Sequence, residues 1–151
     1  MAPAAPDVSV VVPTRDRAAS LGRCLAALAR QRYGGDWEIL VVDDGSRDAE
    51  TVAASVGAVP RARTLRLDGL GPAAARNRGA RAAEGSVLCF TDDDCEPSGD
   101  WLARLVAAVT KGADAAAGTT VNANAQDPLA EASQTIADYL VARSLADEAG
   151  P

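Results

Sequence analysis

Two runs of carboxylates stand out in this 151-residue sequence as residues able to do chemistry, Asp43-Asp44-Gly45-Ser46 and Asp92-Asp93-Asp94. Each follows directly on an apolar run, Ile39-Leu40-Val41-Val42 and Val87-Leu88-Cys89-Phe90. A third apolar run, Val8 to Val12, opens onto Pro13-Thr14-Arg15-Asp16. If the three apolar runs are neighbouring strands, their ends crowd these acids into one small area. Like charges that close raise one another's pKa unless a cation or hydrogen-bond donors intervene. A hard divalent ion with oxygen ligands, Mg²⁺ or Mn²⁺, resolves the conflict, and a diphosphate supplies the further anionic ligand such an ion needs.

Each feature also has a plainer reading. Asp43-Asp44-Gly45-Ser46 serves equally as a turn followed by a helix cap, because Asp and Gly favour both. Asp92-Asp93-Asp94 resists that reading: three carboxylates directly after a buried strand are costly, and clustered acids in a cleft point to a functional site. Arg76, Arg78 and Arg81 lie in an alanine-rich segment and read as a solvated face, with Arg76 alone near enough to the segment's start to reach a phosphate or base. Trp101 reads as a core anchor. Cys95 beside the acids is one thiol among hard oxygens. Gly69-Leu70-Gly71 lacks the third glycine of a dinucleotide fingerprint, and no Gly-Lys-Ser or Gly-Lys-Thr phosphate loop occurs.

The elements that position these residues alternate between strand and helix. Asp7–Val12 and Glu38–Val42 are near-continuous apolar runs, the pattern of strands covered on both faces. Ser86–Thr91 reads as another buried strand, and Arg63–Leu67 alternates as a more exposed one. Leu21, Leu25 and Leu28 form one helical stripe, which Asp16 is placed to cap and Gly34-Gly35 to stop. Further helices are expected over about Asp48–Val56, from Pro72 to about Ala83, and after Ser98 or Asp100 with Trp101, Leu102, Leu105, Val106 and Val109 on one side. Ala115–Val121 is assigned to a strand, and 128 to about 145 to a final helix. Strand–helix–strand alternation predicts an α/β domain, a three-layer sandwich around a mostly parallel sheet. In such sheets ligands sit beyond the carboxyl ends of the strands, where the strand order reverses. One domain is expected over 1–151, with its core at about 7–121.

Composition narrows the classes. Histidine is absent, which removes Ser-His-Asp and Cys-His catalysis, His-ligated zinc and His pH switching. Cys24, Cys89 and Cys95 are odd in number and lack paired zinc spacing, so they read as small hydrophobes in a reducing compartment. The net charge of −6 argues against a nucleic-acid partner. The charge changes sign at Asp92: residues 1–91 carry 12 basic and 10 acidic side chains, and residues 92–151 carry 3 and 11. No apolar run approaches the roughly 20 residues of a membrane span, and Met1–Pro6 has neither the basic nor the apolar part of a signal peptide. A cytoplasmic chain is expected, membrane-peripheral only through a downstream anchor.

Taken in order, Val-Ser-Val-Val-Val-Pro-Thr (8–14), Ile-Leu-Val-Val-Asp-Asp-Gly-Ser (39–46), Gly-Pro-Ala-Ala-Ala-Arg-Asn-Arg-Gly (71–79) and Val-Leu-Cys-Phe-Thr-Asp-Asp-Asp (87–94) closely resemble family 2 glycosyltransferases, inverting enzymes with the GT-A fold. The resemblance covers about residues 7–121, with a looser echo to about Leu140. It implies that Pro13, Thr14, Arg15 and Asp16 line a nucleotide pocket, although Arg15-Asp16-Arg17 departs from the family's frequent aromatic–Asn–Glu at that place. It implies that Asp44 accepts from the imide N–H of uracil or from the guanine edge, with Asp43 and Gly45 completing that wall and Arg76 beside the base or phosphates. Asp92-Asp93-Asp94 resembles the family's Asp-x-Asp element. By that register Asp94 is the direct metal ligand, Asp92 contacts the ribose or the metal's water shell, and Asp93 takes the variable middle position.

The implied reaction joins a nucleoside-diphosphate sugar, UDP-sugar favoured and GDP-sugar possible, to a hydroxyl acceptor with inversion. Its carboxylate base lies in the family on an acidic motif further downstream, in the acceptor-binding half. Asp138, Asp147 and Glu148 do not form that motif, so no catalytic base is identified here. The expectation is a truncated nucleotide-sugar half that binds its ligand with metal and transfers sugar poorly or not at all, open to self-association through bare faces. The competing expectation is a nucleotide-binding or structural fragment without turnover.

Overall fold

A computed structural model describes residues 6–124, 126–132, 134–136 and 138. The chain divides into two units, Met1–Ala116 and Ala117–Pro151. The first alternates strand and helix throughout: β1 (Val8–Thr14), α1 (Ala18–Ala29), β2 (Trp37–Asp43), α2 (Ala49–Gly57), β3 (Ala62–Arg66), α3 (Pro72–Ala82), β4 (Val87–Phe90) and α4 (Trp101–Thr110).

The strands form one parallel sheet in the order β3-β2-β1-β4. The two central strands are the ones whose sequences are continuously apolar, and apart from the half-buried Glu38 every residue in them is buried. Their side chains divide between two cores. Val8, Val10, Val12, Ile39 and Val41 meet Leu21, Leu25 and Leu28 of α1, Val52 and Val56 of α2, and Leu102 of α4. On the other face Val11, Leu40 and Val42 meet Ala75 of α3, with Leu65 and Leu67 beside them. Three layers result, and truncating any one of those buried leucines to Ala should cost about 2–5 kcal/mol. The alanine-rich composition of α3 suits its place. A Cβ at Gly79 would stand 2.5 Å from Val11 Cγ1 and 2.9 Å from Val42 Cγ2, so the helix backbone lies almost directly on the sheet.

The chain lays down β1, β2 and β3 in one direction and then returns to put β4 on the far side of β1. The strand order therefore reverses between β1 and β4, and the crevice for a ligand opens at their carboxyl ends. Those ends are Pro13-Thr14 and Thr91-Asp92.

Three expectations need correction. β4 is not a buried strand: Leu88 is 40% and Phe90 44% exposed, and only Cys89 is buried. Among the described residues it pairs only with β1, and α3 covers β1 and β2 rather than β4, so its α3-side face is exposed. Residues 115–121 form no strand and are exposed. Ala115-Ala116-Ala117-Gly118 offers no β-branched side chains, and Thr119-Thr120-Val121, which has them, pairs with no strand among the described residues. Asp16 does not cap α1. The N-cap is Arg17, without a side-chain cap bond. In the second unit the described residues from 128 to 138 are helical; the expected continuation to 145 lies outside the described residues, as do Asp147 and Glu148.

Candidate functional site

A cleft of about 320 Å³ lies at the reversal point, lined by Pro13, Thr14, Arg15 and Arg17 after β1, Asp44 after β2, Gly71, Pro72, Ala75 and Arg76 at the start of α3, and Asp92, Asp93 and Asp94 after β4. Four chain segments distant in sequence meet there because each begins where a strand stops or a helix starts. Eight of the residues expected from sequence thus share one cleft: Pro13, Thr14, Arg15, Asp44, Arg76, Asp92, Asp93 and Asp94.

Asp16, Asp43 and Gly45 do not line it. Asp16, at φ 54°, joins two loops: its backbone N–H donates to Ser46 Oγ at 2.9 Å and its Oδ1 accepts from the Arg47 N–H at 2.7 Å. It borders a separate hollow of about 270 Å³ with Arg17, Ser46 and Arg47. Asp43 is buried, accepts from the Ser46 N–H at 2.9 Å and pairs with Arg66. Gly45, at φ 81°, passes the next loop so closely that a Cβ would stand 3.0 Å from the Gly69 nitrogen.

Asp44 is 3% exposed, and its two oxygens each accept a backbone N–H at 2.7 Å, from Leu70 and from Gly71. It clamps the loop between β3 and α3 to the end of β2. Its own N–H donates to the Thr14 carbonyl at 2.9 Å, which fixes the ends of β1 and β2 together.

The three successive aspartates have different surroundings. Asp93 is buried: Thr14 Oγ1 donates to its Oδ2 at 2.7 Å, and Arg17 Nη1 lies 3.2 Å from its Oδ1. Burial pushes the Asp93 carboxyl above the ordinary range, while the Thr14 bond and Arg17 pull against that and Asp94 and Asp92 add to it. Asp92 and Asp94 are about half exposed. Arg76 pairs with Asp92, and Arg17 Nη2 donates to Asp94 Oδ2 at 2.8 Å. The Asp94 bond and the Asp93 charge hold the Arg17 guanidinium still more firmly protonated than usual. Arg15 forms no ion pair among the described residues, and its guanidinium lies over Gly69, 3.4 Å from where a Cβ there would be.

Arg17 was missed from sequence. It stands three residues beyond β1, in the same loop as Arg15 and Asp16, so its signal was a cation beside acids. The carboxylate conflict expected from sequence is real, and in this structure arginines and backbone amides relieve it. Among the described residues no group of three or more His, Cys, Asp or Glu side chains is set to hold a metal ion. The donor set nonetheless fits a hard cation. Asp92 and Asp94 offer carboxylate oxygens at a solvent-open rim, and Mg²⁺ is commonly held by one or two carboxylates with phosphate and water completing its sphere. Cys95 beside them is a soft donor that Mg²⁺ does not favour.

A family model described as glycosyl transferase family 2 matches residues 9–147, and the chain belongs to that family. It is 36% identical over 115 residues to glycosyltransferase AglE of Haloferax volcanii, which covers 70% of this chain and 36% of that protein. It is 44% identical over 91 residues to validoxylamine A glucosyltransferase of Streptomyces hygroscopicus, covering 58% of this chain and 22% of that protein. Among solved structures, S. aureus TarS in complex with UDP superposes with a TM-score of 0.62 at 26% identity, covering 70% of this chain and 32% of that one. The mannosyltransferase PcManGT of Pyrobaculum calidifontis, in complex with GDP-Man and Mn²⁺, superposes with a TM-score of 0.61 at 31% identity, covering 68% and 32%. The fold is that of the GT-A glycosyltransferases, and the chain spans about a third of the length of these two structures.

Proposed function

We propose that this chain is the nucleotide-sugar-binding domain of an inverting glycosyltransferase that moves a sugar from a nucleoside diphosphate to a hydroxyl acceptor. The observation that carries the reading is the cleft itself, where Asp92 and Asp94 and the guanidinium groups of Arg15, Arg17 and Arg76 rim one space at the sheet's reversal point. Carboxylates for a cation and arginines for phosphate are the two halves of a metal-diphosphate site. The mannosyltransferase relative carries GDP-Man and Mn²⁺, and TarS carries UDP.

Asp94 is the direct ligand of Mn²⁺ or Mg²⁺, and Asp92 contacts the ribose or the ion's water. Once bound, the ion acts as a Lewis acid on the leaving diphosphate. Arg15 and Arg76 orient the phosphates or base, and Pro13 and Thr14 form the pocket wall, with Asp16 steadying their loop from behind. Asp44 reads the base edge: a carboxylate has about four lone-pair sites, and the two backbone amides take two of them. Asp43 and Gly45 support that wall. Asp93, which the resemblance grouped with the nucleotide contacts, supports the acidic loop through Thr14. UDP is the favoured nucleotide and GDP the alternative.

A second reading is binding without turnover. It is favoured by the state of the cleft's acids, since Asp44, Asp92, Asp93 and Asp94 are each already engaged by a donor or arginine, and none is a free base. No helix among the described residues is long and apolar enough to cross a membrane; free cysteines support a reducing, cytoplasmic setting. The bare edge of β4 supports pairing with a second copy, which sedimentation at two concentrations reads.

Titration calorimetry with UDP and Mn²⁺, then GDP and Mn²⁺, tests the binding claim. Asp94→Ala should lose the metal-dependent part, and equal binding by both proteins would sink the metal assignment. An assay for sugar-nucleotide hydrolysis separates turnover from binding alone.

A further inference from the structure

The cleft residues carry four carboxylates (Asp44, Asp92, Asp93, Asp94) against three guanidinium groups (Arg15, Arg17, Arg76), so the site is close to balanced before any ligand arrives. Both carboxylates proposed for the ion are already held by an arginine, Asp94 by Arg17 and Asp92 by Arg76. A cation arriving alone must displace those guanidinium groups into water. A diphosphate arriving alone adds negative charge to a site already slightly negative. Arriving together, the ion takes the carboxylates and the phosphates take the arginines, and every charge keeps a partner.

We infer that Arg17 and Arg76 are resident counter-cations of Asp94 and Asp92, released to the diphosphate only as a divalent ion takes their place, so that metal and nucleotide bind cooperatively. The inference rests on the nucleotide-sugar reading above and adds the device that couples its two ligands. Arg17 is built for the exchange. Its Nη1 is anchored on buried Asp93 at 3.2 Å while Nη2 reaches half-exposed Asp94 at 2.8 Å, so a turn of the planar fork frees one prong and keeps the other. Arg76 sits in the first turns of α3, opposite the Asp92 loop, with its guanidinium partly exposed. Guanidinium forks match phosphate as well as carboxylate, which an ammonium does not do in two-pronged fashion.

The experiment measures free Mn²⁺ by electron paramagnetic resonance as the intact chain is titrated, with and without UDP and again with GDP. Wild type, Arg17→Gln, Arg76→Gln, Arg17→Lys and Asp94→Asn are compared, each first checked for folding by circular dichroism. Wild type should bind Mn²⁺ weakly alone and more tightly with nucleotide, within the roughly 5–150-fold range usual for coupled sites, and nucleotide affinity must rise with Mn²⁺ by the same factor. Each Gln variant should bind Mn²⁺ alone more tightly than wild type, on the order of tenfold, and show a smaller enhancement by nucleotide. Arg17→Lys keeps the charge but loses the fork, so it should fall between wild type and Arg17→Gln on both measures, and if the Gln variant misfolds, an Arg17→Lys indistinguishable from wild type on both overturns the role of Arg17. Gln variants with wild-type Mn²⁺ affinity and wild-type coupling overturn the exchange while leaving the metal site intact. If Asp94→Asn binds Mn²⁺ with nucleotide as wild type does, or if wild type takes up no Mn²⁺ with either nucleotide, the underlying site reading falls too.

Discussion

Removing the Thr14 hydroxyl isolates the bond that sets the acidic loop. In Thr14→Val the shape is nearly kept, but Asp93 Oδ2 loses the donor 2.7 Å away, in a place where only 4% of Asp93 meets solvent. A hydrogen bond to a charged group contributes about 1.5–3 kcal/mol. Arg17 stays 3.2 Å from the other oxygen and limits the loss, so about 2 kcal/mol is expected at neutral pH, or roughly 4–8 °C in Tm. The pH dependence carries the sharper test. Asp93 has its pKa raised in the folded state, first by burial. The folded state therefore holds the proton more tightly than the unfolded one, and this residue's contribution to stability falls as pH rises from the ordinary carboxylate range through the raised value. The valine variant loses a bond that favoured the charged form, so the raised value climbs further. Urea unfolding of both proteins should give a larger difference at about pH 7 than at about pH 4.5, because the Thr14 bond favours the charged form of Asp93 and the share of that form grows with pH. Differences equal at the two pH values, or below about 0.5 kcal/mol at both, would refute the account of Asp93 as a buried, Thr14-supported carboxylate.

Gly79→Ala should destabilise by about 1–3 kcal/mol in urea unfolding, because the Cβ contacts at Val11 and Val42 outweigh the roughly 1 kcal/mol gain in helix propensity. Glu38→Gln should cost about 1–3 kcal/mol at neutral pH, since the Glu38 carboxylate gathers Ser9 Oγ at 2.6 Å, Arg63 Nε at 2.6 Å and the Glu84 N–H at 3.0 Å. Burial works to raise the Glu38 pKa, but those three donors together hold it below the ordinary range. Its stabilisation is therefore present above the ordinary glutamate value and lost as pH falls through the depressed one, and a Glu38→Gln stability profile should be flatter there. Burial pushes the Cys24 thiol up to about 12 and Cys89 up to about 11, so alkylation of the folded protein near neutral pH should label Cys95 well before either; rapid labelling of Cys24 would show that α1 opens.

The parts of this fold legible in the sequence were those fixed by one-dimensional pattern. β1 and β2 announce themselves because a strand with helices on both faces has no polar side to show, and α1 because Leu21, Leu25 and Leu28 return to one face. β4 has the same apolar composition, yet half of it is bare. Which strand lies at the rim depends on the order in which strands assemble, and Val87-Leu88-Cys89-Phe90 does not encode that order. The candidate site was legible as a cluster of loops, since the rule that ligands sit past strand ends picks out the same loops that line the cleft. The partners were not. Asp16 follows a positive φ to Ser46 and Arg47 instead of turning onto α1, and Asp44 finds the Leu70 and Gly71 amides only because Gly69 and Gly71 take positive φ and bring that loop across.

The acidic triplet shows why spacing alone says less than burial. Asp92, Asp93 and Asp94 all line the cleft, but the outer two carboxylates are about half exposed there and the middle one is buried against Thr14 and Arg17. Burying a carboxylate is costly unless it is bonded and paired, and Asp93 is both. In return its anchorage holds the backbone of the loop, so the flanking oxygens are presented at the rim instead of wandering with a solvated turn. The same arginine that compensates Asp93 also neutralises Asp94, which ties the stability of the loop to the charge state of the cleft. A ligand that draws Arg17 away from Asp94 thus acts on the positioning element as well as on the site, and the Thr14 bond is what keeps that element in place while the arginine moves.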